Sequence, residues 1–189
     1  MLTADLLVYA YLSGTFPMAH PDEGNDIFWH TPKSRGLIPL DDRFKAPKNL
    51  MRLYRKKPFE LTINNAFEDV ITACAELRNE DTWISDEIKS AYIDLHRKGI
   101  AHSFEAWEGD RLVGGLYGLA LGKAFFGESM FHRATDASKI CLVFLVEFLR
   151  EKNFQLLDSQ YLNPHLVQFG AYEIPHEEYM ILLTRATSV

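Results

Sequence analysis

Two carboxylates, a carboxamide and two hydroxyls stand where apolar runs give out. Glu128-Ser129 closes one such run, and Asp158-Ser159-Gln160 closes another from Phe154 to Leu157, with Asn163 and His165 just beyond. Groups of these types can hold a polar reactant by hydrogen bonds and manage a proton. Asp158 and Gln160 lie two apart at the end of an extended segment, so they are expected on one side of a sheet. If the strands bearing Glu128 and Asp158 are neighbours, Glu128, Asp158 and Gln160 converge on one edge. The seven histidines are scattered, with no pair at ligand spacing on one helix face, so no metal is expected.

The stretch Leu112 to Arg133, LVGGLYGLALGKAFFGESMFHR, positions the first of these groups. Its two aromatic-rich runs meet at Gly122-Lys123, which predicts a β-hairpin. Gly114, Gly115, Gly118 and Gly127 thin it. Glycine inside a strand costs stability unless something must approach the backbone, and here that something is read as a substrate. A helix from about Asp136 to Lys152, with Ile140, Val143, Phe144 and Glu147 along one face, then leads into a strand from Phe154 to Asp158.

Upstream, residues 1 to 14 read as a short helix with Leu2, Leu6, Val8, Tyr9 and Leu12 apolar and Gly14 as its stop. The next stretch, through Asp42, lacks periodicity and should be loops and short strands held down by Phe16, Phe28 and Trp29. Pro47 suits the first turn of a helix whose Leu50, Leu53 and Tyr54 share a face, and Pro58 ends it. Leu61 to Ile63 is a short strand. Asn65 and Glu68 have the spacing of a capping box for a helix through Arg78. Ser85 caps another helix, with the stripe Ile88, Ala91, Tyr92 and Leu95 and Gly99 at its end. His102 to Trp107 is a strand feeding the hairpin, and a final strand and helix run from Ala171 to Leu183. A domain boundary is placed near Pro58, dividing a small domain of residues 1–58 from a larger one of 59–189.

With 189 residues the chain can bury a real core. Its longest apolar stretch, Ile140 to Leu149, is broken by Glu147 and too short to span a membrane, so no membrane partner is expected. The N-terminus MLTADLLVYAYLSG has no basic residue before its apolar part and carries Asp5; a cytoplasmic protein is expected rather than a secreted one. Cys74 and Cys141 read as buried thiols. The net charge of −6 is unevenly spread: between Lys33 and Lys57 nine Lys and Arg, Arg35 and Arg43 among them, stand against Asp41 and Asp42, giving that window +7 and the rest −13. One face meeting phosphates would leave such a footprint.

The strings GGLYG, GESMF, LLDSQ, N-P-H and FGA, in that order and preceded by GTFPM and IFWHTPKSRG, resemble the leucyl/phenylalanyl-tRNA-protein transferases from about Tyr11 to Pro175. The predicted element order is also that of GNAT-type acyltransferases. The resemblance implies an α+β fold, a GNAT-like acyltransferase domain of mixed sheet behind a small N-terminal domain. It implies an aminoacyltransferase that moves leucine or phenylalanine from leucyl-tRNA or phenylalanyl-tRNA onto the α-amine of proteins beginning with Arg or Lys, marking them for N-degron proteolysis. An aminoacyl ester is already activated, so no cofactor is implied. By the resemblance, Gln160 accepts a hydrogen bond from the attacking amine, Asp158 polarises Gln160 from behind, and Glu128 favours the cationic peptide end. Met18, Trp83, Leu116, Leu145 and Leu149 stand where the family builds its apolar pocket and the stacking surface for the terminal adenosine, with Asn163 beside them. Met18 replaces an aromatic residue of some relatives, and the chain starts later than longer relatives do. Lys48, Arg52, Arg55, Lys56 and Lys57 would hold the tRNA, and a monomer is expected.

Two rivals are weaker. An acetyl-CoA-dependent N-acetyltransferase cradles its pyrophosphate with a glycine-rich loop feeding a helix, and MFHRATDAS, ahead of Lys139, has no glycine. A non-catalytic tRNA-binding module would share the basic helix and the pocket but has no need of the polar triad.

Overall fold

A computed structural model describes residues 1–77 and 82–189. Helix α1 (Ala4–Leu12) begins where the Thr3 side chain accepts the Leu6 amide and stops before Gly14, whose φ is +79°. It buries Ala4, Leu7, Ala10 and Tyr11, while Leu6, Tyr9 and Leu12 face outward. The inward row is therefore the one that ends in Tyr11, not the one richest in leucine. Strands β1 (Phe16–His20) and β2 (Asp26–His30) form a separate two-stranded antiparallel sheet. Of the three expected aromatic anchors only Phe16 is buried; Phe28 and Trp29 are 40% and 42% exposed.

Strand β3 (Ser34–Leu37) leaves this unit, and α2 (Lys48–Arg55) begins just after Pro47, which stands before its first turn. Leu50 is buried, Leu53 and Tyr54 pack beside it, and the cations of α2 face solvent. After β4 (Glu60–Ile63) comes α3 (Phe67–Glu76). The expected capping box is absent. A buried carboxylate, Glu105, accepts the amides of Asn65 and Ala66 at 2.8 Å each, supplying negative charge at the helix N-terminus where Asn65 was expected to cap. The expected helix end at Arg78 lies outside the described residues. Ser85 caps α4 (Asp86–Arg97) as expected, and its apolar stripe is fully inward.

The hairpin expected around Gly122 is β6 (Arg111–Leu121) and β7 (Ala124–His132), preceded by β5 (Ala101–Glu108). Helix α5 (Ala137–Glu151) crosses to β8 (Leu156–Gln160), and α6 (Pro164–Val167), β9 (Tyr172–Pro175) and α7 (His176–Thr187) complete the chain. The seven-stranded sheet has the order β4-β5-β6-β7-β8-β3-β9. Every neighbouring pair is antiparallel except β7 with β8. One face packs against α1, α3, α4 and α7 through residues such as Leu7, Val70, Tyr92 and Leu183; the other packs against α2 and α5 through Leu50, Leu116, Val143 and Leu157.

The boundary placed near Pro58 does not divide the structure where contacts part. β3 sits inside the main sheet between β8 and β9, and α2 packs on α5, so residues 34–58 belong with the large sheet and its helices. Proline and charge composition marked a turn there, but the burial of Leu37 and Ile38 decides membership. Cys74 and Cys141 are buried. No helix among the described residues is long and apolar enough to cross a membrane.

Candidate active site

The site lies where β7 and β8 separate. Their pairing covers only Ala124 to Phe126 against Leu156 to Asp158, although β7 runs on to His132 and β8 to Gln160. Beyond this point β7 carries an irregularity: Tyr117 faces Ser129 and Gly118 faces Gly127, which leaves Glu128 as the extra residue of a β-bulge. A bulge re-aims its side chain, and here it turns Glu128 toward α1 and α4. Gly118 is required opposite, since a Cβ there would lie 2.2 Å from the Phe126 carbonyl oxygen. On β8 the strand ends at Gln160 with φ +66°, a left-handed conformation uncommon for a side-chain-bearing residue.

Glu128 accepts hydrogen bonds from the Tyr11 hydroxyl on α1 and from Gln160 Nε2, the latter at 3.1 Å. Tyr11 also shares a hydrogen bond with the Tyr92 hydroxyl of α4. Asp158, fully buried, accepts from Arg35 Nε at 3.1 Å, Arg35 Nη2 at 2.9 Å, the Tyr179 hydroxyl at 2.5 Å and the Gln160 backbone N–H at 2.7 Å. Arg35 is fully buried as well, between the rings of Phe16 and Tyr179, and its Nη1 donates to the Gly14 carbonyl at 2.8 Å.

The structure thus brings Glu128, Asp158 and Gln160 together, in a different relation from the one expected. Asp158 holds the Gln160 backbone, and the carboxylate on the Gln160 amide is that of Glu128. The left-handed turn at Gln160 breaks the strand alternation on which the expected pairing rested. With its NH₂ turned to Glu128, Gln160 keeps Oε1 as an acceptor with no protein partner among the described residues. Sequence reasoning missed four residues at the site: Tyr11, Tyr92, Tyr179 and Arg35. By charge alone Arg35 counts with the surface cations; its neighbours Gly36, Leu37 and Ile38, an uncharged and largely apolar run, are the signal that it is not one of them.

Burial pushes the Glu128 carboxyl up to about 8, against hydrogen bonds from Tyr11 and Gln160 that pull it down. The residue as a whole is only partly buried. Burial, and next Glu128 itself, hold the Tyr11 and Tyr92 phenols well above their ordinary range, so both stay protonated donors. Because the folded-state value of Glu128 lies above its ordinary 4.5, its contribution to stability is complete below about pH 4.5 and is lost as pH rises through about 8. Across that window the wild type should lose stability relative to Glu128→Gln, by an amount on the order of a few kcal/mol. Urea midpoints of both proteins at pH 5, 6.5 and 8.5 test this; parallel curves would mean that Glu128 titrates normally.

The expected pocket residues divide. Leu116, Leu145 and Leu149 are brought together, all nearly fully buried, in the cluster on the α5 side of the sheet. Met18 and Trp83 belong to the cluster on the other side, where the Trp83 carbonyl accepts the Ala19 amide at 3.1 Å. The five do not line one wall, because the sheet stands between the two groups. Asn163 is exposed and caps α6, accepting the His165 amide at 2.9 Å. Lys48, Arg52, Arg55, Lys56 and Lys57 are all exposed, and none has an ion-pair partner among the described residues. Arg43, by contrast, is paired with Asp41 at 2.8 Å on the surface.

An antiparallel meander that crosses over through a helix to a parallel strand, with a polar cluster where those two strands part, is the arrangement of a GNAT-like acyltransferase domain. Residues 37–184 match the family model described as leucyl/phenylalanyl-tRNA protein transferase, and residues 1–33 match that of its N-terminal domain. The chain belongs to the leucyl/phenylalanyl-tRNA protein transferase family. The two matches meet just before and within β3, in keeping with its place in the main sheet. Proteins called leucyl/phenylalanyl-tRNA-protein transferase in Akkermansia muciniphila, Herpetosiphon aurantiacus and Chlorobaculum tepidum are 55%, 49% and 48% identical to it. Each alignment covers 98% of this chain and 96%, 94% and 96% of the respective relative. Among solved structures, that of L-PGS from Bacillus licheniformis is similar over 98% of this chain and 70% of that one, with 9% identity and a TM-score of 0.49.

Proposed function

We propose that this aminoacyltransferase moves leucine or phenylalanine from leucyl-tRNA or phenylalanyl-tRNA to the α-amine of proteins beginning with Arg or Lys, acting as a cytoplasmic monomer and marking its targets for N-degron proteolysis. The observation that carries the mechanism is the Glu128–Gln160 hydrogen bond beside the parting of β7 and β8, with Gln160 Oε1 left to accept. An acceptor α-ammonium has a pKa of about 8. Glu128, pushed up to about 8, is matched to it and takes its first proton. The neutral amine, held through one N–H by Gln160 Oε1, attacks the ester carbonyl. A carbon–nitrogen bond forms, the bond to the ribose oxygen breaks, and that oxygen takes the second amine proton. A carboxamide is too weak a base to keep a proton, so the part of Gln160 is orientation. Leu116, Leu145 and Leu149 supply the apolar ground against which a leucine or phenylalanine side chain is received, and Met18 and Trp83, across the sheet, serve the terminal adenosine.

Incubation of the full chain with labelled leucyl-tRNA and peptides beginning with Arg, Lys or Ala tests this reading. Label should pass to the Arg and Lys peptides and not to Ala. Binding of tRNA without transfer would leave a binding module, and acetylation from labelled acetyl-CoA would favour the other rival.

The exposed cations of α2 are proposed to meet tRNA phosphates. Reversing charge at Arg52, Arg55 and Lys56 should then flatten the log-log salt dependence of tRNA binding by roughly one unit per lost contact. Transfer from a short aminoacyl-adenosine donor should persist; if that donor fails as badly as full tRNA, α2 has another role.

A further inference from the structure

We infer that Arg35 is a positioning residue for the transfer reaction, holding Gln160 and Glu128 in register through a closed ring of hydrogen bonds. The inference rests on the roles proposed above for those two residues. The ring can be followed bond by bond. Arg35 on β3 grips Asp158 on β8 with Nε and Nη2; Asp158 Oδ1 accepts the Gln160 backbone N–H; Gln160 Nε2 donates to Glu128 on β7; and Glu128 accepts from Tyr11 on α1. The Gly14 amide donates to the Tyr11 carbonyl at 3.0 Å, and the Gly14 carbonyl accepts Arg35 Nη1 at 2.8 Å, which closes the circuit. Arg35 is thus tied to Gln160 by one arm and to Tyr11 by the other.

Stability alone does not account for such a device. A fully buried ion pair is often no better, and can be worse, than apolar side chains of the same volume. The left-handed backbone of Gln160 adds a cost of about 1–2 kcal/mol. Strain of that kind persists only where the surroundings over-determine it. Here the surroundings are specific: the Asp158 carboxylate on the Gln160 N–H, Arg35 and Tyr179 fixing that carboxylate, and Gly36 next to Arg35. A Cβ on Gly36 would lie 2.8 Å from Tyr161 C and from Leu162 N, so β3 runs directly against the chain that leaves Gln160. The grip needs two-point geometry. Arginine's planar fork provides it and an ammonium does not.

Arg35→Lys keeps the charge and loses the fork. Since a misplacement of an ångström in a reacting centre can cost about 10²-fold, kcat at saturating leucyl-tRNA should fall by roughly 10–100-fold. KM for leucyl-tRNA should stay within about twofold, because the donor is not held by Arg35. Made in a Gln160→Ala background, the same change should lower the rate by much less than it does alone, since one of the two side chains through which it acts is already absent. Tyr179→Phe, which removes one donor to Asp158 and leaves the ring core in place, should show the same pattern more weakly and replaces Arg35→Lys if that variant does not fold. An unchanged kcat in both variants, or a full additional loss in the Gln160→Ala background, overturns the inference. If Gln160→Ala itself transfers leucine at the wild-type rate, the proposed mechanism fails and Arg35 is not at fault.

Discussion

Gln160→Gly is expected to lower the single-turnover transfer rate by about 10²–10³-fold while leaving the unfolding midpoint nearly where it was. The two halves of this result have different causes. Loss of rate comes from loss of the carboxamide that orients the amine, a polar group at the reacting centre. Retention of stability comes from the backbone: glycine adopts φ +66° without the roughly 1–2 kcal/mol that a side chain costs there. Against this gain stand the hydrogen bond to Glu128 and the larger unfolded-state freedom of glycine, each worth about 1 kcal/mol. Gln160→Val is the contrast, because a β-branched residue tolerates the left-handed region poorly and should lose both rate and stability. Equal melting of the Gly and Val variants would remove backbone strain from the account. A wild-type rate in Gln160→Gly would remove the side chain from the mechanism.

The largest loss of stability is expected from Glu105→Ala. Glu105 is fully buried, and its carboxylate accepts from the Asn65 and Ala66 amides at 2.8 Å and from the Thr62 and Ser103 hydroxyls at 2.9 Å. Removing it leaves two amides at the start of α3 and two hydroxyls without their acceptor, at about 1–3 kcal/mol for each buried group left unsatisfied. A total near 4 kcal/mol lowers the melting temperature of a chain of this length by roughly 8–16 °C. Glu105→Gln should fall between, since its amide offers one acceptor oxygen while its NH₂ confronts donors. Burial raises the pKa of Glu105, so the wild type gains stability as pH falls and its carboxyl becomes protonated, and the cost of the Gln variant, which does not titrate, should grow toward acid pH. Thermal melts of the three proteins, with transfer rate per folded molecule as a control, decide this; a drop of only a degree or two for Ala would show that water replaces the carboxylate.

Local chemistry accounts for the parts of the fold that were legible in the sequence. The hairpin announced itself by Gly122-Lys123 between aromatic runs, α4 by the Ser85 cap and its apolar stripe, and the membership of Glu128, Asp158 and Gln160 in one site by their place at strand ends. The features that escaped depend on partners distant in the chain. Glu105 displaced the cap that Asn65 would have made from forty residues away. The burial of Arg35 is fixed by Asp158, at a separation of 123 residues, and a run of positive charge around it pointed outward. The exchange of roles between Asp158 and Glu128 at the Gln160 amide came from one dihedral angle, which no spacing rule encodes.

The position of β3 also sets the moment in synthesis at which this chain can become an enzyme. Its pairing partners are Gln160 and Asp158 on β8 and Tyr172 to Pro175 on β9, so a strand translated early must wait for the last quarter of the polypeptide. At ~5–20 residues per second, the roughly 120 residues between Arg35 and Asp158 take on the order of ten seconds to appear, and throughout that interval the guanidinium lacks its carboxylate. High contact order of this kind slows folding, because loop closure over the intervening chain precedes any reward from the contact. A nascent chain halted before β8 would hold the hairpin and α5 but leave β3 without either of its pairing partners, and ribosome-bound fragments of that length should therefore be inert however well their helices form.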